Sequence, residues 1–184
     1  VGNSMGAGLV IGMALAHPER VDRLVLIGGF PDHVRDKLTS PLIRRTLDTW
    51  APVWLVSLGN RLVGRGPTET VLREIVHDPT LLTQAVIERS YENRKRPGFI
   101  PPLMAQAKNL PLWEEGFAKR LGEIRQPTLI LWGAEDKVFP LQVGKELHQV
   151  IAGSAFTVIP EAGHIPQWEK PETVNPLLLK FLQP

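Results

Sequence analysis

Apolar and polar positions follow different rhythms along the chain, and the changes of rhythm divide it into three parts. Residues 4–16 set Gly6, Ala7, Gly8, Gly12, Ala14 and Ala16 among Leu, Val, Ile and Met, with no charge on any face. A helix that is apolar nearly all round is normally enclosed, so the pattern predicts a buried helix lying close to a sheet. His17-Pro18 ends it, because a proline just past a helix cannot continue the hydrogen bonding. "RLVLIGG" (23–29) is then a short apolar run closed by glycines, the pattern of a strand covered on both faces. Turn, buried helix and second strand make the βαβ unit of a parallel sheet.

From Pro31 to about Arg120 the spacing becomes helical. Leu42, Ile43, Leu47 and Trp50 recur at helical intervals until Pro52 interrupts them. "PTETVLREIV" and "DPTLLTQAVIERSYENRK" each open like a helix, the second with Asp78 as cap and Pro79 in first position. No strand-like alternation occurs here, so the stretch is expected to be several short helices held together by Trp50, Trp54, Phe99 and Trp113. Thr128 to Trp132 then restores a buried strand, followed by an amphipathic helix ("LQVGKELHQVI"), a strand ("AFTVIP") and a closing helix ("PETVNPLLLKFL"). The expected fold class is α/β. A mostly parallel sheet flanked by helices is built from residues 1–30 and 121–184, around an all-helical insertion at 31–120.

Composition narrows the options. At 184 residues and 43% hydrophobic content, the chain can bury one core plus elaboration. With 21 Lys+Arg against 19 Asp+Glu, no basic face stands out. Arg94-Lys95-Arg96 reads as a solvated helix end, since nucleic-acid binding needs a longer stripe with interleaved aromatics. The absence of cysteine excludes disulfides and thiol chemistry and suits a cytoplasmic setting. No apolar run approaches the ~20 residues of a membrane span. Val1 to Ala16 is uncharged with a small-x-small ending, yet it lacks the positive region of a signal peptide and carries four glycines. The expected partner is a small-molecule substrate, with no nucleic acid and no membrane; oligomerisation stays open.

Three separated features carry chemistry. Gly2-Asn3-Ser4-Met5-Gly6 has the G-x-S-x-G spacing of a nucleophile elbow, a sharp strand-to-helix turn that presents a serine. A dinucleotide-binding loop is the rival, but its third glycine falls one place late, with Ile11 in that slot. Leu26 also stands where the ribose-binding acid belongs. Asp136 lies just past the 128–132 strand, and His164 just past the last strand, with a glycine before it. Nucleophile, acid and histidine, each at the carboxyl end of a parallel strand, can converge in space. Ser4 Oγ would attack, His164 would take its proton, and Asp136 would orient the imidazole. The Met5 backbone N–H would donate to the oxyanion. Gly2 and Gly6 fit a turn too tight for side chains. Glu135 and Asp32 are the competing acids. His17 suits a helix end, and His33, His77 and His148 are expected to be exposed. No metal-ligand spacing occurs, so no metal or cofactor is expected.

These blocks together resemble the α/β-hydrolase superfamily, in the branch with an all-helical cap after the sixth strand. "GNSMG", "HPERVDRLVLIGG", "LILWGAEDKVFP" and "EAGHIPQWEKPE" stand in that branch's order. "GNSMG" and "GHIPQWEKPE" resemble especially the carbon–carbon hydrolases of aromatic ring-cleavage products, and neighbouring esterases share much of the wording. The family pattern G-x-x-D-x-x-x-P selects Asp136, with Pro140 closing it. A serine nucleophile argues against the dehalogenases and epoxide hydrolases of this fold, which use aspartate. The resemblance implies a serine hydrolase working through an acyl-enzyme on a small apolar or aromatic ester. The alternatives are a carbon–carbon hydrolase, a non-catalytic ligand receptor or an inactive fragment. Trp50, Trp54, Phe99, Trp113, Ile165 and Trp168 are candidates for contact with substrate. The resemblance also implies four strands ahead of the elbow, and a second oxyanion donor among them. The chain by itself is therefore expected to be inactive and prone to aggregate.

Overall fold

The computed structural model describes residues 1–183. Strands β1 (Gly2–Asn3), β2 (Leu24–Ile27), β3 (Thr128–Gly133) and β4 (Ala155–Ile159) form one parallel sheet in the order β1-β2-β3-β4. Helix α1 (Met5–Ala16) joins β1 to β2. Between β2 and β3 lie α2 (Val34–Lys37), α3 (Pro41–Leu47), α4 (Val53–Leu62), α5 (Gly66–Ile75), α6 (Gln84–Lys95) and α7 (Ile100–Leu112). Helix α8 (Leu141–Val150) joins β3 to β4, and α9 (Pro166–Glu169) and α10 (Pro171–Leu182) follow β4.

The strands run in step. Gly2 pairs with Leu26, Leu26 with Ile130, and Ile130 with Phe156. Every strand therefore finishes at the same edge, where sites form in open parallel sheets. Both β2 and β3 are buried at every position because their two faces meet different elements. Leu24, Leu26, Ile130 and Trp132 pack with Ile11, Ala14, Val143 and Leu147 of α1 and α8. Val25, Ile27, Leu129 and Leu131 pack on the opposite face with Val174 of α10. Each fully enclosed Leu, Ile or Val contributes about 1.5–3 kcal/mol, and slipping a strand by one residue would exchange the two faces.

Four expectations need correction. Helix α1 is not enclosed: Leu9 is 70% exposed, and Met5 and Met13 are also open. Its Ala7, Ile11, Ala14 and Leu15 pack on the sheet side, and Gly12 lies against Phe117 of the segment that precedes β3. Asp78 caps only a short 3-10 turn at Pro79–Leu81; α6 begins later, with Thr83 accepting the Val86 N–H. The aromatic residues expected to join the insertion mostly do not, since Trp50 is 93% and Trp54 68% exposed. Polar staples act there instead: the Arg94 guanidinium donates to Asn60 Oδ1 and to the Val63 and Gly64 carbonyls, binding α6 to the end of α4. Finally, His77 and His148 are half-buried, and His148 is stacked on Phe156 with Nδ1 2.8 Å from Ser154 Oγ.

The end of β3 runs against the loop ahead of His164. A Cβ on Gly133 would overlap the backbone carbonyls of Ala162 and Gly163, which cannot move aside as a side-chain tip could. Gly59, inside α4, has open space around its Cα. Gly133→Ala is expected to destabilise the protein by about 1–3 kcal/mol or more, and Gly59→Ala to stabilise it by about 0.5–1 kcal/mol. Urea denaturation midpoints of the two variants check both signs.

Candidate active site

The turn after β1 holds Ser4 at φ 52°, ψ −120°, a backbone conformation that side-chain-bearing residues avoid. Such a residue costs on the order of 1–3 kcal/mol and persists only when its surroundings fix it. They do so here: the Ser4 N–H donates to the Ile27 carbonyl at 2.9 Å, and its own carbonyl accepts the Ala7 N–H at 2.8 Å. Ser4 occupies the N-cap position of α1 without making a side-chain capping bond. Its Oγ therefore does not take the capping role that serines usually take. Met5 is the first residue of α1, where N–H groups have no intrahelical acceptor and the helix end is positive. Of the two glycines that frame the motif, sterics require only Gly2, whose Cβ would overlap the Gly6 carbonyl; a Cβ on Gly6 would meet open space.

His164 and Asp136 meet as a buried pair, with Nδ1 2.8 Å from Oδ2. The other carboxylate oxygen, Oδ1, accepts the Val138 and Phe139 N–H groups at 2.8 and 3.0 Å. Those two bonds come from the turn between β3 and α8 and fix the carboxylate plane, leaving Oδ2 for the imidazole. An ionised carboxylate can only accept, so Nδ1 is assigned the proton and Nε2 the lone pair. The ring lies over the end of β2: a Cβ on Gly28 would stand 3.0 Å from His164 Nδ1, and Gly28 itself has φ +50°. Only a residue without a side chain satisfies both conditions.

Ser4 and His164 are brought to the same edge by Asn3. Its Nδ2 donates to the Ile27 carbonyl at 3.0 Å and to the His164 carbonyl at 3.1 Å. His164 also donates its backbone N–H to the Ile75 carbonyl at 2.8 Å. Among the described residues none of its hydrogen bonds runs to Ser4 Oγ; in proteins without bound substrate such bonds are often long and close on binding.

A family profile described as the alpha/beta hydrolase fold matches residues 1–171. The chain belongs to the α/β-hydrolase family. It is 34% identical over 192 residues to a 2-hydroxy-6-oxononadienedioate/2-hydroxy-6-oxononatrienedioate hydrolase of Pseudomonas putida, covering 100% of this chain and 62% of that relative. A meta-cleavage product hydrolase of Pseudomonas fluorescens is similar in structure, with TM-score 0.77 and 25% identity over 98% of this chain and 62% of that one. A thermophilic esterase of Thermogutta terrifontis has TM-score 0.69 and 26% identity, over 98% and 62% of the two chains. The chain thus spans about 62% of the length of the curated relative it matches.

Within this α/β hydrolase, the competing acids have other employment. Asp32 accepts from Lys37 Nζ at 2.6 Å, and Lys37 also pairs with Glu146 at 2.9 Å. Burial works against the lysine charge, but the hydrogen bonds to Asp32 and Glu146 outweigh it and raise its pKa; the same bond lowers that of Glu146. Glu135 accepts the Ala162 N–H at 3.0 Å, bracing the histidine loop. Trp113 is enclosed, with its indole N–H donating to the Pro31 carbonyl at 2.7 Å and its ring edge-on to Phe30. It is a packing residue, not an open contact surface. Ile165 packs with Val76, Leu82 and Ile87 of the insertion, and Trp168 and Phe99 are partly exposed. Among the described residues no cluster of His, Asp and Glu is placed to hold a metal ion.

Two residues at the site are not singled out by pattern. Asn3 lies inside the elbow motif, where it fills a variable slot. Glu169 is a charged residue that composition assigns to the surface, yet it is buried. No periodicity in the sequence marks a carboxylate as enclosed.

If the Ser4 backbone is strained, Ser4→Gly should be about 1 kcal/mol more stable than Ser4→Ala, because both lose the hydroxyl and only glycine relaxes the turn. Chemical denaturation of the pair measures the difference, and equal stabilities would refute the strain.

Proposed function

We propose that the protein is a serine hydrolase in which Ser4 is the nucleophile, His164 the base and Asp136 the residue that orients it. We further propose that the bond it cleaves is the carbon–carbon bond beside the ketone of an aromatic ring-cleavage product. The observation that carries this reading is the buried His164–Asp136 pair beside a strained serine turn whose hydroxyl makes no capping bond.

The chemistry follows from the proton positions. His164 Nε2 takes the Oγ proton as Ser4 attacks the carbonyl carbon, and Asp136 stabilises the imidazolium that forms. The developing oxyanion is favoured by the Met5 N–H and by the positive end of α1. Imidazolium then returns the proton to the leaving group. In an ester that group is an alkoxide. In a 2-hydroxy-6-oxo-dienoate it is a carbon, able to depart once the enol has become a ketone that accepts the electrons of the breaking bond. Water, deprotonated by His164, finally releases the acyl group from Ser4.

The named substrate of the Pseudomonas putida relative, at 34% identity, supports the carbon–carbon reading. The likeness to an esterase supports ester hydrolysis as the second reading, which sequence patterns alone put first. Trp50, Trp54, Phe99 and Trp168 keep exposed ring surface and are our candidates, with Ile165, for the apolar walls around a substrate.

In the full-length protein, a fluorophosphonate should label Ser4, as read by peptide mapping; a folded protein left unlabelled at Ser4 would sink both readings. A higher kcat/KM for a 2-hydroxy-6-oxo-dienoate than for a p-nitrophenyl ester is expected, and the reverse order would favour the esterase. Asp136→Asn should lower kcat by about four orders of magnitude, the size measured when a serine protease loses its orienting carboxylate.

A further inference from the structure

Glu169 has a buried carboxylate whose partners are backbone N–H groups from two distant parts of the chain. Gly163 donates to Oε1 at 2.7 Å; His77 and Asp78 donate to Oε2 at 2.6 and 3.3 Å. Gly163 immediately precedes His164. His77 and Asp78 follow α5, in the helical insertion. The two segments also touch directly: the His164 N–H donates to the Ile75 carbonyl, and a Cβ on Gly163 would stand 2.7 Å from that same oxygen. Glu169 therefore bridges the histidine loop and the end of α5 with one side chain.

We propose that Glu169 is a positioning residue for His164, locking the histidine loop and the Ile75–Asp78 segment into one unit. The proposal rests on the triad reading given above. Both carboxylate oxygens are needed as acceptors, because each faces N–H donors on its own side. An amide of the same size would turn an NH2 group towards either Gly163 or His77, leaving buried donors without an acceptor. The imidazole would then lose its fixed height above Gly28, and with it the alignment that proton transfer requires. Movement of the helical insertion would also reach the base through this contact, since Ile75 and Glu169 hold the backbone on both sides of the Gly163–His164 peptide.

The test is Glu169→Gln in the full-length protein, assayed on whichever substrate the wild type turns over. The expected result is a folded enzyme with kcat lowered about 10- to 100-fold and KM nearly unchanged. Amide hydrogen exchange at Gly163 and His77 should accelerate together. A folded variant with unchanged kcat and unchanged exchange overturns the proposal, as does a raised KM with kcat intact. Should the variant fail to fold, the wild type carries the test. Its Gly163, His164 and His77 amides should exchange with one common opening constant, and separate constants overturn the proposal. A wild type that is folded but hydrolytically inert would defeat the triad reading, while the exchange measurement still judges the bridge.

Discussion

The register of the parallel sheet is the constraint on which the site depends. Leu24–Ile27 and Thr128–Gly133 are enclosed on both faces, so neither strand can slide without exchanging the residues that meet α1 and α8 for those that meet α10. With the register held, Ser4, Gly28, Asp136 and His164 all follow strands that finish at one edge of the sheet. The hydrophobic effect has no directional preference, yet burial of alternate residues against two different layers converts it into a positional one.

Strain and polarity are then added where that frame is firmest. The left-handed Ser4 is tolerated because β1 pairs with β2 directly beneath it and Ala7 bonds back to its carbonyl. The buried Asp136 is tolerated because two backbone N–H groups and an imidazole surround it. Removing any one of these partners would leave a desolvated polar group, which is more costly than the bond was favourable. The Asp136 carboxylate is therefore held by backbone groups, and through it the His164 ring is held in turn.

Much of this was legible in the sequence for a physical reason. Strands covered on both faces, such as "RLVLIGG" and "PTLILWG", and glycine-flanked turns leave local patterns that survive without tertiary information. The motif order Ser4, Asp136, His164 is likewise local at each point. What escaped is what depends on distant neighbours. The apolar circumference of α1 suggested burial, but burial requires something on every side, and Leu9 and Met13 stay exposed. Trp50, Trp54 and Trp113 look alike in sequence; only the packing of Trp113 on Phe30, and its bond to the Pro31 carbonyl, separates it from the exposed pair. Asp78 met every requirement of a helix cap, yet its turn stopped after Leu81 and Thr83 took over.

Ser4 and His164 share an attachment to the sheet, and His164 has a second one to the helical insertion. Ser4 is fixed by the sheet, through Ile27 and the start of α1. His164 is fixed through Asn3 and Asp136 on the sheet side, and through Ile75 on the insertion side. Ile165, the next residue, extends the second attachment by packing with Val76, Leu82 and Ile87. His164 therefore belongs to both packed units, through Asn3 and Asp136 to the sheet and through Ile75 to the insertion. An insertion that also carries the apolar walls of a binding site would then couple the seating of a ligand to the position of His164. Such coupling arises wherever one buried residue belongs to two packed units, because neither unit can shift without unpairing groups in the other.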